Sequence, residues 1–189
     1  MTKRPSIHQI NKELIRLKKR KAYLNALKGT IWILTVVAAV SIICSTFFVT
    51  VLDIQGSSME PTLSDGQLVI TMKNANLETG DIVAFYYNNR ILLKRVIGTP
   101  GDWINIERDG TVYVNSEKID EPYVQNKTLG DCDLIFPYQV PENKIFVLGD
   151  HRDVSIDSRN KAIGPISKEQ IVGEVTIRVW PLNKAGKIN

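Results

Sequence analysis

The distribution of apolar residues divides the chain into three parts. Residues 30–52 form an uninterrupted run without charge. At ~1.5 Å rise per residue this run makes a helix of about 34 Å, which is enough to cross a ~30 Å hydrocarbon core. Residues 53–189 instead contain short runs rich in Val, Ile and aromatic residues, a pattern typical of strands. Residues 1–29 place apolar residues at helical spacing between basic ones, namely Ile7, Ile10, Leu14, Leu17 and Leu24.

An uncleaved anchor accounts for the apolar run better than a cleavable signal peptide. The apolar region of a signal peptide has about 7–15 residues and is followed by small residues at a cleavage site. Residues 30–52 exceed that length, and their exit, residues 50–53, reads TVLD. The sequence therefore predicts a transmembrane helix over 30–52.

The charge is distributed unevenly along the chain. Residues 1–29 carry nine Lys/Arg and one acid, whereas residues 53–189 carry fifteen Lys/Arg and nineteen Asp/Glu. Because excess Lys and Arg beside a membrane span stay in the cytoplasm, the N-terminus is predicted to be cytoplasmic and residues 53–189 extracytoplasmic. We expect a single-pass protein of the cell membrane. Basic charge confined to one end favours a lipid bilayer over nucleic acid as the partner.

The basic segment 1–29 has two interpretations. A short amphipathic helix on anionic lipid fits its spacing of apolar and basic residues. A coiled coil that binds a partner is the alternative, for which the segment is short.

Seven short runs in residues 53–189 predict strands. The turn signals between them include Asn88-Asn89 and Asp109-Gly110, which fit tight hairpins because Asn and Gly tolerate positive φ. No βαβ alternation is visible, so we predict a mainly β domain over 53–189. Its antiparallel sheets would form a folded or partly closed barrel. The predicted strands are 67–72, 81–87, 91–97, 103–106, 111–115, 145–148 and 171–179.

The two cysteines predict neither a disulfide nor a metal site. Cys44 lies in the apolar run and Cys132 lies far downstream, so a membrane span would separate them. No Cys/His spacing typical of zinc is present. Asp131 and Asp133 flank Cys132 and disfavour its thiolate, which excludes a good thiol nucleophile there.

A candidate nucleophile lies shortly after the apolar run. Residues 56–63 read GSSMEPTL, so two serines stand between a glycine and a proline, where the backbone must turn. A serine hydroxyl needs a base in order to attack a carbonyl carbon. His8 lies on the predicted cytoplasmic side, which leaves His151 as the one candidate histidine. A triad of Ser58, His151 and an aspartate is one possible arrangement.

Lys94 is the other candidate base. It lies in residues 91–97, ILLKRVI, where neighbouring side chains of a strand point to opposite faces. One of Lys94 and Arg95 is then expected to face the interior and the other solvent. A lysine among apolar side chains has a lowered pKa and can accept a proton near neutral pH, which an arginine cannot. The alternative is that both are surface cations.

Four motifs follow one another along the predicted extracytoplasmic domain. Residues 56–63 read GSSMEPTL, residues 80–85 GDIVAF, residues 94–102 KRVIGTPGD and residues 149–159 GDHRDVSIDSR. In this order, downstream of an anchor, they resemble the motifs of type I signal peptidases, in particular the single-anchor form of Gram-positive bacteria. The resemblance implies a domain of antiparallel sheets, in agreement with the strand pattern.

The resemblance also implies roles for individual residues. Ser58, which precedes Met-x-Pro, corresponds to the nucleophile, and Lys94, the first of the Lys-Arg pair, to the general base. Ser155 corresponds to a hydrogen-bond partner of the lysine. Asp157 and Arg159 correspond to a structural pair that supports the site. The resemblance implies no cofactor and no metal.

The chain departs from relatives at three of these motif positions. Some relatives have, two residues before the nucleophile, a serine whose hydroxyl helps to stabilise the oxyanion; this chain has Gly56 there. The backbone N–H of Ser58 is the first expected oxyanion donor. Gly56 occupies the position of the second donor. His151 and Val154 stand where asparagine is common or frequent. Ser57 is expected to be a turn residue.

The substrate class follows from the same resemblance. Signal peptidases cleave exported preproteins after an Ala-x-Ala-like site and select small residues with shallow apolar pockets. A substrate strand held by main-chain hydrogen bonds would lie close to the membrane. Possible further partners are the secretion or pilus assembly machinery. The residues expected to line the substrate site are Ile54, Gln55, Met59, Leu92 and Leu93.

Two other functions fit parts of the sequence. A pilus-specialised or non-catalytic assembly factor of the same family would share the anchor and fold, but the presence of both Ser58 and Lys94 argues against a non-catalytic one. Self-cleaving repressor proteases also use a serine and a lysine on a similar fold. Those proteases are cytoplasmic and associated with DNA, and the apolar run over 30–52 argues against the hypothesis that this protein is one of them.

Overall fold

The computed structural model of the protein describes residues 7–73 and 76–188. It divides into two compact units, Met1–Thr46 and Phe47–Asn189. Within the described residues, the elements are α1 (Ile7–Phe47), β1 (Val49–Asp53), β2 (Leu68–Met72), β3 (Ile82–Tyr87), β4 (Arg90–Gly98), β5 (Trp103–Ile106), β6 (Val112–Val114), β7 (Glu117–Lys118), β8 (Tyr138–Gln139), β9 (Lys144–Leu148), β10 (Ile166–Ser167), β11 (Ile171–Trp180) and β12 (Gly186–Lys187), with 3₁₀ turns at Lys168–Gln170 and Leu182–Lys184.

Helix α1 starts well before the predicted span and ends earlier than predicted. It runs without interruption from Ile7 to Phe47, so the described part of the basic segment and the apolar run form one helix. The predicted helical end at Leu52 is wrong, because Val49–Asp53 form β1 and pair with β2. Residues 49–51, VTV, are β-branched and favour a strand. By length and composition, one helix of the described chain, Asn11–Phe47, could span a membrane. Residues 1–6 of the predicted basic segment lie outside the described residues.

The second unit contains two antiparallel sheets. The larger has the strand order β1-β2-β11-β3-β4-β9-β10, with β12 added to β11, and the smaller has the order β7-β6-β5-β8. A mainly antiparallel β domain after an apolar helix was predicted and is confirmed. Among the described strands the larger sheet does not close, since β1 and β10 stay at opposite edges.

The strand predictions agree with the structure to within one residue at each end. The Asn88-Asn89 hairpin is present between β3 and β4, with φ of 45° and 63°. Five strands were not predicted, and four of them (β7, β8, β10 and β12) have only two residues each. Such short strands are formed by tertiary pairing and leave no periodic pattern in the sequence.

Apolar side chains cover both faces of the larger sheet at its centre. Along β3, Ile82 and Ala84 belong to one apolar cluster, whereas Val83 and Phe85 belong to another. A third cluster lies between the sheets and includes Phe146. A polar side chain in the second half of β4, from Lys94 onward, is therefore enclosed whichever way it points.

We expect Gly173→Ala to destabilise the protein by about 1–3 kcal/mol, the usual cost of overpacking. Gly173 lies at an irregularity in the pairing of β11 with β3, and a Cβ there would be 2.4 Å from the carbonyl oxygen of Met72. This oxygen belongs to the paired backbone of β2 and cannot move freely. Urea unfolding of the full chain in detergent measures the change.

The matched control is Gly29→Ala in α1, where an added Cβ has no neighbour within 4 Å. Alanine is the better helix former, so we expect this variant to be as stable as the wild type or slightly more stable. Equal losses in the two variants would contradict the steric explanation.

Candidate active site

Ser58 lies in the loop that connects β1 to β2. Two backbone hydrogen bonds close the base of this loop: the Ile54 N–H donates to the carbonyl of Gln67, and the Gly66 N–H donates to the carbonyl of Ile54, each at 2.9 Å. The chain therefore leaves and re-enters the sheet at one place. This closure limits how far the tip with its serine can move.

The residues after Ser58 pack into the apolar core and hold the tip of the loop in place. Met59 and Leu63 are both buried in the apolar cluster beneath the loop, and the N–H of Leu63 donates to the carbonyl of Met59 at 2.9 Å. The two serines differ in consequence. Ser58 is half-buried, whereas Ser57 is exposed.

Lys94 meets Ser58 from the neighbouring part of the sheet. It lies on β4 opposite Val83 of β3, and the residue is only 3% exposed. Its Nζ donates a hydrogen bond to Ser58 Oγ at 2.8 Å. The fold thus joins the two residues that sequence analysis proposed as base and nucleophile.

Burial lowers the pKa of Lys94 from 10.5 to about 8. The main cause is loss of water around the ammonium group, which disfavours the charged form. The carboxylates of Asp157 and Asp150 act in the opposite direction, and the guanidinium of Arg159 adds to the lowering. A substantial fraction of Lys94 is therefore neutral at mildly alkaline pH and able to accept a proton.

Arg95 is buried as well, so the expectation that one of Lys94 and Arg95 faces solvent is wrong. The residue is 2% exposed, because both faces of the sheet are covered here. Its Nε and one terminal nitrogen donate to the two carboxylate oxygens of Asp150 at 2.9 and 2.7 Å. The guanidinium carbon also lies 3.9 Å from the ring centroid of Tyr123. Ion pairing and stacking together satisfy this cation away from water.

Asp150 connects the nucleophile loop to the strand of the lysine. The Thr62 hydroxyl donates to Asp150 Oδ2, whose carboxylate also binds Arg95. Directly after it in the chain, the N–H of His151 donates to the carbonyl of Ser58 at 3.1 Å. These contacts fix both ends of the segment that contains Ser58. Sequence analysis used Asp150 only as a motif residue and missed this role.

Ser155 lies beside the nucleophile but does not contact the lysine amine. Its buried Oγ has no hydrogen-bond partner among the described residues, so the bond to Lys94 implied by the resemblance is not formed. A Cβ on Gly149 would lie 2.2 Å from this oxygen and 2.6 Å from the carbonyl oxygen of Ser58. Glycine is therefore required at 149 for the two serines to pack this closely.

Asp157 and Arg159 form the ion pair that the resemblance implies. Nε of Arg159 lies 2.8 Å from Asp157 Oδ1, and both side chains are buried. Arg159 also donates to the carbonyls of Leu129, at 2.7 Å, and of Arg152, at 2.9 Å. The pair links the last motif to the segment before β8.

A third buried ion pair, between Arg152 and Glu121, was not predicted. Arg152 donates a hydrogen bond to the carboxylate of Glu121, and both side chains are buried. Arg152 Nε also donates to the carbonyl of Gly149 at 3.0 Å. Burial and the charge of Glu121 raise the pKa of the nearby Tyr123 above its usual range. Glu121 lies outside every motif and every long strand, so no sequence signal marked it.

His151 does not contact the Ser58 hydroxyl in this structure. Its Nδ1 is 3.2 Å from the carbonyl oxygen of Ser57, and its Nε2 is 3.0 Å from a carboxylate oxygen of Asp153. Both ring nitrogens are engaged away from Ser58 Oγ. This geometry favours Lys94 over His151 as the base.

Gly56 adopts a conformation that disfavours a side chain. Its φ is +89°, and its N–H donates to Asp65 Oδ1 at 2.6 Å. The N–H is therefore occupied and is not a free second oxyanion donor. The N–H of Ser58, by contrast, has no acceptor among the described residues.

A cavity of about 620 Å³, the first cavity, opens at the Ser58–Lys94 pair. It lies between the end of β1 and the start of β4, and its walls include buried apolar side chains. All five residues predicted to bind substrate line it, namely Ile54, Gln55, Met59, Leu92 and Leu93.

A second cavity of about 760 Å³ also opens at the Ser58–Lys94 pair and extends to Val154, Ile156 and Ile163. Sequence analysis did not predict it, because residues from the end of β3 and from the 154–163 loop line it together. Within the described part of the chain, no group of three or more His, Cys, Asp or Glu side chains is placed to hold a metal ion.

A buried lysine bonded to a serine hydroxyl, on antiparallel sheets and beside open cavities, is an arrangement typical of serine hydrolases that use an amine base. The sequence matches the family described as signal peptidase, peptidase S26, over residues 27–180. The chain thus belongs to the signal peptidase family of serine peptidases.

Two relatives agree with this assignment in sequence. Signal peptidase IB of Staphylococcus aureus, strain Mu50, is 42% identical over 81% of this chain and 90% of the relative. Signal peptidase I of Bacillus licheniformis is 33% identical over 82% and 91%. A crystal structure of a signal peptidase I from Enterococcus faecalis V583 aligns with 54% of this chain and 98% of its own, at 31% identity and a TM-score of 0.45.

We expect Glu121→Ala to cost about 3–5 kcal/mol of stability, because it leaves the Arg152 guanidinium buried without its carboxylate. Glu121→Gln keeps an acceptor and should lose less. Glu117→Ala, which removes an exposed carboxylate on β7, is the control and should change stability by less than about 0.5 kcal/mol. Urea unfolding of the full chain compares the three, and similar values for Glu121→Ala and Glu117→Ala would refute the role of the pair.

Proposed function

We propose that the protein is a membrane-anchored serine endopeptidase that removes signal peptides from exported preproteins with a Ser58–Lys94 dyad. The observation that carries this proposal is the 2.8 Å contact between Lys94 Nζ and Ser58 Oγ. The lowered pKa of Lys94 and membership in the signal peptidase family support it.

Acylation begins with neutral Lys94. Its Nζ takes the proton of the Ser58 hydroxyl while Oγ attacks the carbonyl carbon of the scissile peptide bond. The resulting oxyanion accepts a hydrogen bond from the N–H of Ser58. Lys94 then passes its proton to the leaving nitrogen, the C–N bond breaks, and an ester on Ser58 remains.

Deacylation uses Lys94 as the base again, with water as the nucleophile in place of Ser58. Water loses a proton to Lys94 and attacks the ester carbonyl carbon, and collapse of the second tetrahedral intermediate returns the proton to Ser58 Oγ. Asp157 and Arg159 set the electrostatic balance around the amine, because the carboxylate raises its pKa and the guanidinium lowers it. Ser155 and the Ser58 carbonyl both pack closely around Gly149.

The start of β4 offers a free edge for a substrate strand. β4 pairs with β3 from Arg90 onward but with β9 only from Arg95 onward, so residues 90–94 have one edge without a described partner strand. An extended peptide can add to such an edge through main-chain hydrogen bonds. The Ala-x-Ala residues would then lie in the first cavity, where Ile54, Met59 and Leu93 leave room for small side chains.

The anchor completes the proposal. Helix α1 holds the protein in the cell membrane with a cytoplasmic N-terminus, which the basic residues at its start favour. Residues 53–189 then act outside the cytoplasm, where preproteins emerge with their own apolar segment still in the bilayer. The proposed assignment is 1–29 cytoplasmic, 30–47 within the span, and 53–189 catalytic.

We expect Ser58→Ala and Lys94→Met each to reduce kcat/KM for a preprotein by at least about 10³-fold, since they remove the nucleophile and the base. Ser57→Ala and His151→Ala are the controls and should keep most activity. The assay is cleavage of a preprotein by the full chain in detergent. Substantial activity in Ser58→Ala or Lys94→Met would refute the dyad, and loss in His151→Ala would favour the triad.

The pH dependence of kcat/KM reports the free base. The competent form of Lys94 is unprotonated, so activity should rise with pH along a limb with its midpoint at about 8. Below the midpoint, kcat/KM should fall about tenfold per pH unit. His151→Ala should leave the midpoint unchanged. Activity that stays constant from pH 9 down to pH 5 would contradict a lysine base.

A further inference from the structure

The second cavity has a mixed but mostly apolar lining. Val154 and Ile156 of the last motif are 50% and 55% exposed and point two large apolar surfaces toward solvent around it. Ile163 and Tyr87 form the opposite part of the wall. Exposed aliphatic side chains at the mouth of a cavity favour a ligand that covers them.

The dyad lies where the two cavities join. Six residues line both: Gln55, Gly56, Ser58, Arg90, Leu92 and Lys94. A chain that reaches from one cavity into the other therefore passes Ser58. Each cavity can hold the substrate on one side of the scissile bond.

Hydrogen bonds hold the wall of the second cavity in place. The Tyr87 hydroxyl donates to the carbonyl of Ala162 at 3.1 Å, which ties the end of β3 to the 154–163 loop. The Asn160 amide donates to Asp131 at 2.8 Å and accepts from the N–H of Ala162 at 2.8 Å. The cavity is thus built by fixed contacts between separate segments.

The charged side chains that line the second cavity are both basic. Arg90 and Lys94 are the charged residues among those described that line the second cavity. Lys94 is neutral when it acts as base, and the guanidinium of Arg90 stays charged. A cationic side chain in this cavity would lose water and meet a like charge, whereas an apolar one would cover Val154 and Ile156.

We infer that the second cavity binds the first residues after the scissile bond, the leaving segment of the substrate, and selects apolar side chains over cationic ones there. The inference rests on the proposed function. Small residues before the bond fit the first cavity, so the residues after it continue into the second. Lys94 lines both cavities and is therefore placed to give its proton to the amine that leaves.

The test compares two peptides that share one Ala-x-Ala sequence and differ only in the two residues after the bond, Leu-Leu or Lys-Lys. The full chain in detergent should cleave the Leu-Leu peptide with a kcat/KM at least about tenfold higher. In Ile156→Asn the ratio of kcat/KM for the Leu-Leu peptide to that for the Lys-Lys peptide should fall to about two- or threefold. Ile135→Asn is the matched control, because Ile135 is 88% exposed and lines neither cavity, and it should keep the wild-type ratio.

A methyl ester of the same Ala-x-Ala peptide separates the inference from general damage. It releases methanol and has no leaving segment, so Ile156→Asn should hydrolyse it at the wild-type rate. If Ile156→Asn also loses ester hydrolysis, the substitution has damaged the enzyme in general. The ratio of kcat/KM for the two peptides is then measured in Val154→Asn instead. Equal cleavage of both peptides by the wild type, or an unchanged ratio in the variants, overturns the inference while the proposed function stands. Failure of the wild type on peptides and ester alike refutes the proposed function itself.

Discussion

Lys94 lies on a strand whose two faces are both covered by apolar side chains, so its amine is held away from water. The ammonium form loses solvation there, and the neutral form becomes accessible at mildly alkaline pH. This single constraint underlies the role of base that we propose for Lys94. It also requires that every other charge near it be paired, because unpaired charges in such a place would destabilise the fold.

The surrounding charges meet that requirement as three buried ion pairs. Asp150 binds Arg95, Asp157 binds Arg159, and Glu121 binds Arg152. Buried pairs contribute little net stability, but they have few alternative geometries. Asp150 joins the last motif to β4 through Arg95 and to the nucleophile loop through Thr62, and so helps to fix the distance between Ser58 and Lys94. We interpret this pair as a contact that positions the site more than it stabilises the fold.

The departures from related sequences have local physical explanations. A side chain at Gly56 would be strained at a φ of +89°, so the oxyanion donor seen in some relatives is disfavoured by the backbone. His151 satisfies both ring nitrogens with groups other than the nucleophile hydroxyl. Val154 gives the second cavity an apolar residue at its mouth. Each change alters the surroundings of the dyad and leaves the Ser58–Lys94 contact intact.

Local periodicity and composition were enough to predict the apolar N-terminal helix, the seven main strands and the motifs that contain Ser58, Lys94, Asp157 and Arg159. The packing of the folded chain accounts for the other features. It ended α1 at Phe47, since β2 offered Val49–Asp53 a partner, and it buried Arg95, since apolar clusters cover both faces of β4. It also paired Glu121 with Arg152 and opened the second cavity. These features arise from contacts between segments far apart in the chain, and no local pattern encodes which distant segment will supply a strand partner, a counter-charge or a wall.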